Sequence, residues 1–297
     1  MTSADDQALE WLVRLNDDRA DDDLREEFAR WQAVPEHAAA WIEAEAFWSR
    51  LHPVTREMRR RRKISRRVAV AGIGAVVAAP LAIWLTVPGR FADYRTAAGE
   101  TRRLDLPDGS QVELAAGSAL SLAYTETERR LTLYTGEAFF KVAAARNRPF
   151  VVTASQAEFV ALGTKFNIRL AGDRVSLTVA EHRVRVRSAR LDSVVEQGQK
   201  LEIGPAQTAL LQTVDIETET AWRQGVLVFA STPLGEVMDV LGRNAGWTPI
   251  VSKAASQIPV TAMFNLSRLS DADERIAQTL PVRLSRLPGG VIVIRAK

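Results

Sequence analysis

Nucleophiles, bases and metal ligands are sparse in this chain. It has 3 histidines and 0 cysteines, so cysteine nucleophiles, thiolate metal sites and disulfides are excluded. His37 and His52 precede an apolar run at 68–89 and His182 follows it. If that run crosses a membrane, the three end in two compartments and no His cluster or Ser-His-Asp set is suggested in either. Among enzymes only a carboxylate-based hydrolase survives; the expectation is a protein that is not an enzyme and needs neither cofactor nor metal. Asp108-Gly109 is sufficiently explained as a tight turn, in which Gly takes a positive φ and Asp bonds its own backbone. Gly163-Thr164, inside ALGTKF (161–166), keeps a chemical reading. A Thr hydroxyl on the C-terminal side of a strained peptide can attack the preceding carbonyl, and Gly admits backbone conformations that other residues resist. A turn entry with Thr164 opening a strand that ends at Leu170 explains the same residues.

The elements that carry these residues divide sharply. With 297 residues, 46% hydrophobic and 25% charged, the chain has room for two or three globular units. Residues 1–50 carry about 13 acids against 5 bases, whereas 51–67 carry about 8 bases against 1 acid. From Val68 to Gly89 no charge occurs for about 22 positions, enough for a helix to cross a hydrocarbon core of ~30 Å. Arg56, Arg59, Arg60, Arg61, Arg62, Lys63, Arg66 and Arg67 precede it, against Arg90 and Arg95 beyond it, which places the N-terminal side in the cytoplasm. Ser65-Arg66-Arg67 weakly matches a twin-arginine export signal. Direct nucleic-acid binding is not expected, because membrane orientation accounts for the basic cluster.

Three helices are predicted before the basic run. The first holds Ala8, Leu9, Trp11, Leu12, Val13 and Leu15; the second, after Asp21-Asp22-Asp23, holds Leu24, Phe28 and Trp31; the third, opened by Pro35, holds Trp41, Ala44, Trp48 and Leu51. Four of the 7 tryptophans, Trp11, Trp31, Trp41 and Trp48, lie here, more aromatic surface than so small a unit hides by itself. They are candidates both for a mini-core and for a partner surface, and the surplus acid favours a basic partner.

Beyond Tyr94 the period becomes two. Strands are expected around Val112-Leu114, Leu120-Tyr124, Leu131-Leu133, Ala138-Val142, Phe166-Leu170, Val175-Val179 and Val184-Val186, with turns at Pro107-Asp108-Gly109, Gly136-Glu137 and Ala171-Gly172-Asp173. From about Thr220 the order becomes βαβ-βαββ, an α+β unit. It has a strand Val226–Phe229, a helix capped by Thr232 with Pro233 in its first turn and ended by Gly246, and a second helix capped by Ser270.

The acidic, Trp-rich start, the basic flank and span, LPDGSQVELAAGSAL (106–120), RRLTLYTGEAFFKVA (129–143), RPFVV (148–152) and ALGTKF together resemble the FecR family of transmembrane sigma-factor regulators. AWRQGVLVFASTPLGEVMDVLGRNAG (221–246) is similar to the short domain shared by secretins and TonB-dependent receptors. Glu181-His182-Arg183 departs from the pattern, where many relatives have Glu-Gly. The resemblance implies a multidomain protein: a small all-α cytoplasmic domain (1–55) that binds an extracytoplasmic-function sigma factor, a juxtamembrane segment (56–67), one transmembrane helix (68–89), a periplasmic all-β domain (95–219) and a periplasmic α+β domain (220–297). The last would face the signalling domain of an outer-membrane TonB-dependent siderophore receptor, accepting it at strand Val226, Leu227, Val228 and Phe229. Trp11, Trp31, Trp41 and Trp48 would face the sigma factor, and the resemblance implies a cleavage point at the Gly-Thr of some relatives that matches Gly163-Thr164. The expected role is an inner-membrane anti-sigma factor; the alternative is a membrane-anchored structural or cell-wall-binding protein.

Overall fold

Acidic residues at the start and an arginine at the end of a segment complement the helix dipole, and Ala4–Asn16, with Asp5, Asp6 and Arg14, forms the first helix, α1, of a computed structural model. The structure describes residues 4–16, 22–51, 89–145, 147–172, 174–204 and 208–297, without the side chains of 16, 22 and 46–51. The expected basic flank at 56–67 and the expected span, apart from Gly89, lie outside the described residues, as do Asp21 and Asp173 of the expected cap and turn. Among the described residues no helix is long and apolar enough to cross a membrane. Helices α2 (Asp22–Gln32) and α3 (Pro35–Leu51) complete the N-terminal unit.

The alternating segments form a 13-stranded sheet. Its strands are β1 (Tyr94–Arg95), β2 (Arg102–Asp105), β3 (Gln111–Leu114), β4 (Ala119–Tyr124), β5 (Arg129–Lys141), β6 (Phe150–Ala154), β7 (Ala157–Ala161), β8 (Lys165–Ala171), β9 (Arg174–Glu181), β10 (Arg183–Arg187), β11 (Asp192–Glu196), β12 (Gln199–Ile203) and β13 (Ala209–Thr213). The expected turn at Gly136-Glu137 is overturned, because β5 runs through it. The first half of β5 pairs with β4 and β6, and the second half with β3 and β8. Gly136 is where the strand passes between the two ladders: its φ is +88°, and a Cβ there would stand 2.2 Å from the Ser118 hydroxyl oxygen. Only glycine fits that approach. Both ladders share one core, in which Phe140 lies 5.0 Å from Phe166 and 6.0 Å from Phe150 between ring centroids.

After a short helix, α4 (Ile216–Glu219), and a 3-10 turn, the C-terminal unit follows as β14 (Val226–Pro233), α5 (Leu234–Ala245), β15 (Thr248–Val251), α6 (Lys253–Ser256), β16 (Pro259–Asn265), α7 (Ala272–Thr279), β17 (Val282–Leu287) and β18 (Val291–Ala296). The expected βαβ-βαββ order is present, with α6 added. Both expected caps move by one residue: Pro233 takes the first, because pairing with Val260 and Pro259 keeps Thr232 and Pro233 in the strand, and Asp271 takes the second. Gly246 ends α5 with φ +80°, as expected. β14 and β16 form one small sheet and β15, β18 and β17 another. Val237, Leu241 and Ile276 of the helices share a core with Phe229 and Phe264 of the first sheet and Ile292 and Ile294 of the second.

Candidate functional site

The N-terminal rings form the centre of the helical unit. Trp11 is 5% exposed, its ring centroid 5.4 Å from Phe28 and 6.0 Å from Trp31, and Phe28 lies 4.6 Å from Trp41. Trp31 donates its indole N–H to Gln7 Oε1 at 2.7 Å and stacks on His37. Arg14 caps the cluster, 4.2 Å above Trp11 and paired with Glu27 at 2.6 Å; that hydrogen bond holds the Glu27 carboxyl below its usual range. Trp11 is therefore a core residue, Trp31 and Trp41 are half-buried, and the side chain of Trp48 lies outside the described residues. Leu9 and Leu12 lie beside this cluster, with Val13, Trp41 and Ala44 packed against them. Both leucines lie on Ile250, Leu287, Val291 and Val293 of the C-terminal unit, a contact with no signal in the sequence pattern.

Gly163 and Thr164 lie between β7 and β8. Gly163 has φ +146°, and a Cβ there would meet Ala144 at 3.1 Å. The segment is held on both sides: Val142 N–H donates to the Thr164 carbonyl at 2.9 Å and Ala145 N–H to the Leu162 carbonyl at 3.2 Å. Thr164 is 5% exposed, and its buried hydroxyl makes no hydrogen bond among the described residues. Buried polar atoms normally find a partner, so an unpaired hydroxyl here is an exception that calls for an explanation.

The loop that clamps this segment is itself fixed by a buried ion pair. Arg129, 1% exposed, meets Asp108 at 2.6 Å, and also donates to the Ala143 carbonyl at 3.0 Å and the Arg148 carbonyl at 2.9 Å. Burial alone would raise the Asp108 carboxyl, but the Ser110 hydroxyl and Arg129 outweigh it and hold it below its usual range. The expected turn is present, with Gly109 at φ +79° and Ser110 N–H on Asp108 Oδ1 at 3.3 Å. The link to Arg129 was missed.

Val226–Phe229 are split by strand alternation. Leu227 and Phe229 are buried in the C-terminal core, while Val226 and Val228 are half-buried. β14 has β16 as its only strand partner among the described residues, and its residues line a cleft of about 410 Å³ together with Arg174, Lys200, Glu202 and Gln212. Nearby, the sheet and the C-terminal unit are joined by polar contacts. Arg223 lies 3.7 Å over Phe139 and makes two hydrogen bonds to Glu113, at 2.7 and 3.1 Å. Trp222 donates to Asn167, Asn167 to Glu137 at 2.7 Å, and Arg169 pairs with Glu236. Burial would raise Glu113, but Arg223 outweighs it and holds it low; burial pushes Glu137 up against the pull of Arg169 and Asn167.

A two-ladder sheet followed by a small α+β unit is an arrangement seen in solved structures. Two crystal structures of a candidate anti-sigma factor from Parabacteroides distasonis ATCC 8503 superpose with TM-scores of 0.63 and 0.62 at 23% identity, each covering 69% of this chain and 98% of theirs. That likeness establishes the fold. No curated protein matches the chain. Residues 92–185 match the family described as FecR protein, and residues 6–47 match a domain of unknown function, DUF4880. The sheet therefore carries a FecR-type region and the helical unit a DUF4880-type region.

Proposed function

We propose that this chain is a single-pass inner-membrane anti-sigma regulator that relays a signal from an outer-membrane TonB-dependent siderophore receptor to a cytoplasmic extracytoplasmic-function sigma factor. Residues 1–67 are cytoplasmic, 68–89 cross the membrane, and the sheet and C-terminal unit are periplasmic. The observation that carries this is the uncharged run at 68–89 behind the bases of 56–67, which separates the helical unit from the FecR-matched sheet. The solved neighbours are those of a candidate anti-sigma factor, in keeping with this role.

The contact between α1 and the C-terminal unit and a membrane crossing exclude one another in one chain, since a core of ~30 Å would stand between them. Magnitudes favour the crossing. The run holds nine Val, Leu and Ile side chains and Trp84, whereas the contact buries Leu9 and Leu12 with four apolar residues of the C-terminal unit, with Val13, Trp41 and Ala44 only partly buried against them and one half-exposed ion pair, Glu10–Arg295; each fully buried side chain of this kind is worth about 1.5–3 kcal/mol when removed from water. A reporter active only in the periplasm is expected to work fused after Arg95 and to fail fused after Leu51. Activity in both fusions overturns the proposal.

The Gly163–Thr164 peptide is proposed as a self-cleavage point. The Thr164 hydroxyl adds to the Gly163 carbonyl, the C–N bond breaks as the amine takes up the proton, and water hydrolyses the resulting ester to a Gly163 carboxylate and the restored hydroxyl. β5 pairs with both β6 and β8, so the fragments stay associated. Denaturing electrophoresis is expected to show two fragments, and one band for Thr164→Ala; a stable single wild-type band overturns it.

A further inference from the structure

The outer face of the β15-β18-β17 sheet is two-toned. In the register of β17 and β18, Leu287 stands opposite Val291, Ser285 opposite Val293, and Arg283 opposite Arg295, with Ile250 of β15 beside Val293. Alternation sends Ile292 and Ile294 to the helices on the other side. One end of the outer face is thus apolar, and the other carries two arginines directly opposed, a pairing that is unfavourable unless an acid lies nearby. In the structure an amphipathic helix, α1, meets both needs. Leu9 and Leu12 cover the apolar end, leaving Val293 0%, Val291 2%, Ile250 5% and Leu287 8% exposed, and Glu10 reaches Arg295 at 3.3 Å.

We propose that this face is the docking site for an amphipathic helix of a periplasmic protein, one that presents two apolar side chains three residues apart and a carboxylate beside them. The inference rests on the two-sided topology proposed above, in which α1 is in the cytoplasm and the face is bare. With α1 on the other side of the membrane, four large apolar side chains around a sheet end with paired arginines form the kind of exposed patch that marks an interaction site. The occupant is specified by charge and shape together: an apolar strand would leave the arginines unmatched, and a basic helix would add to their repulsion.

The chain has 0 cysteines, so a thiol placed on this face is unique. The full-length chain with Val293→Cys is labelled in spheroplasts by a membrane-impermeant maleimide, with a synthetic peptide of residues 4–16 as the probe helix. Rapid labelling is expected without peptide, slowed at least about tenfold by the peptide, and slowed far less by the same peptide carrying Glu10→Lys. Equal labelling with and without peptide overturns the docking site and leaves the topology standing. Protection without peptide, with disulfide formation in a Leu12→Cys, Val293→Cys chain, shows α1 on the face of its own chain and overturns the topology with the inference. Protection without that disulfide shows the face covered by another part of the protein and overturns the inference alone. Ile250→Cys, at the neighbouring position, repeats each arm if Val293→Cys fails to accumulate.

Discussion

His182 joins β9 to β10 with φ +62° and an exposed side chain. A left-handed conformation costs a residue with a Cβ about 1–2 kcal/mol, offset in part by the larger chain entropy that glycine loses on folding, about 0.5–1 kcal/mol. His182→Gly is therefore expected to stabilise the protein by about 0.5–1 kcal/mol, read as a rise in the urea midpoint at an unchanged slope. The departure of Glu181-His182-Arg183 from the Glu-Gly pattern is thus a tolerated strain at a turn. Asp108 behaves oppositely. Removing one partner of a buried ion pair costs about 3–5 kcal/mol because the other charge is left unpaired, so Asp108→Ala is expected to lower stability by that amount. Adding Arg129→Met should recover a good part of it in a double-mutant cycle. The turn at Asp108-Gly109 was legible because its hydrogen bonds are two residues long. The pair with Arg129 was not, because it joins positions 21 residues apart and no local pattern encodes which arginine comes home to which acid.

At the scale of elements, spacing was informative where one face repeats. Leu24, Phe28 and Trp31 lie within α2 as their helical spacing requires, and the alternation at 166–170 and 175–179 falls within β8 and β9. It was silent on β5, where a glycine that reads as a turn lets one strand serve two ladders. It was also silent on which ring is central in the helical unit, since Trp11, Trp31 and Trp41 share a residue type and differ only in what packs over them. Trp11 lies under Phe28, Trp31 and Arg14. Trp11→Ala should then cost about 3–5 kcal/mol, comparable with the whole stability of a unit of about 50 residues. Proteolysis is expected to cut this segment rapidly in Trp11→Ala, while Ile42→Ala, at a position 65% exposed, resists like the wild type. Loss of sigma-factor binding in Trp11→Ala would therefore report unfolding, whereas loss in a Trp41→Ala chain that stays protected would report contact, worth about 2 kcal/mol for an interface anchor.

Across the whole molecule, the joint between the sheet and the C-terminal unit holds two glutamates with opposite responses to acid. Glu113 is kept low by Arg223; its contribution is present at neutral pH and is lost as pH falls through its depressed folded value. Glu137 is pushed up by burial. In the window between its usual and raised values the folded chain binds more protons than the unfolded chain, so its share of stability grows as pH falls through that window. A relay that passes through this joint needs two arrangements close in free energy, and an acid whose ionised form is opposed by burial is one way to hold them close. Glu137→Gln keeps the shape, still accepts from Asn167 through its carbonyl oxygen, and removes the ionisable group. The expected outcome is a higher Tm than wild type at pH 7.5, with the difference shrinking to nothing as the buffer is taken below the usual glutamate range. Glu113→Gln should do the reverse, with a lower Tm at pH 7.5 and a gap that closes only in stronger acid. If both variants shift Tm in the same direction at pH 7.5, the opposed electrostatics of the joint are wrong, because only the sign of the carboxyl shift distinguishes two substitutions that are otherwise the same.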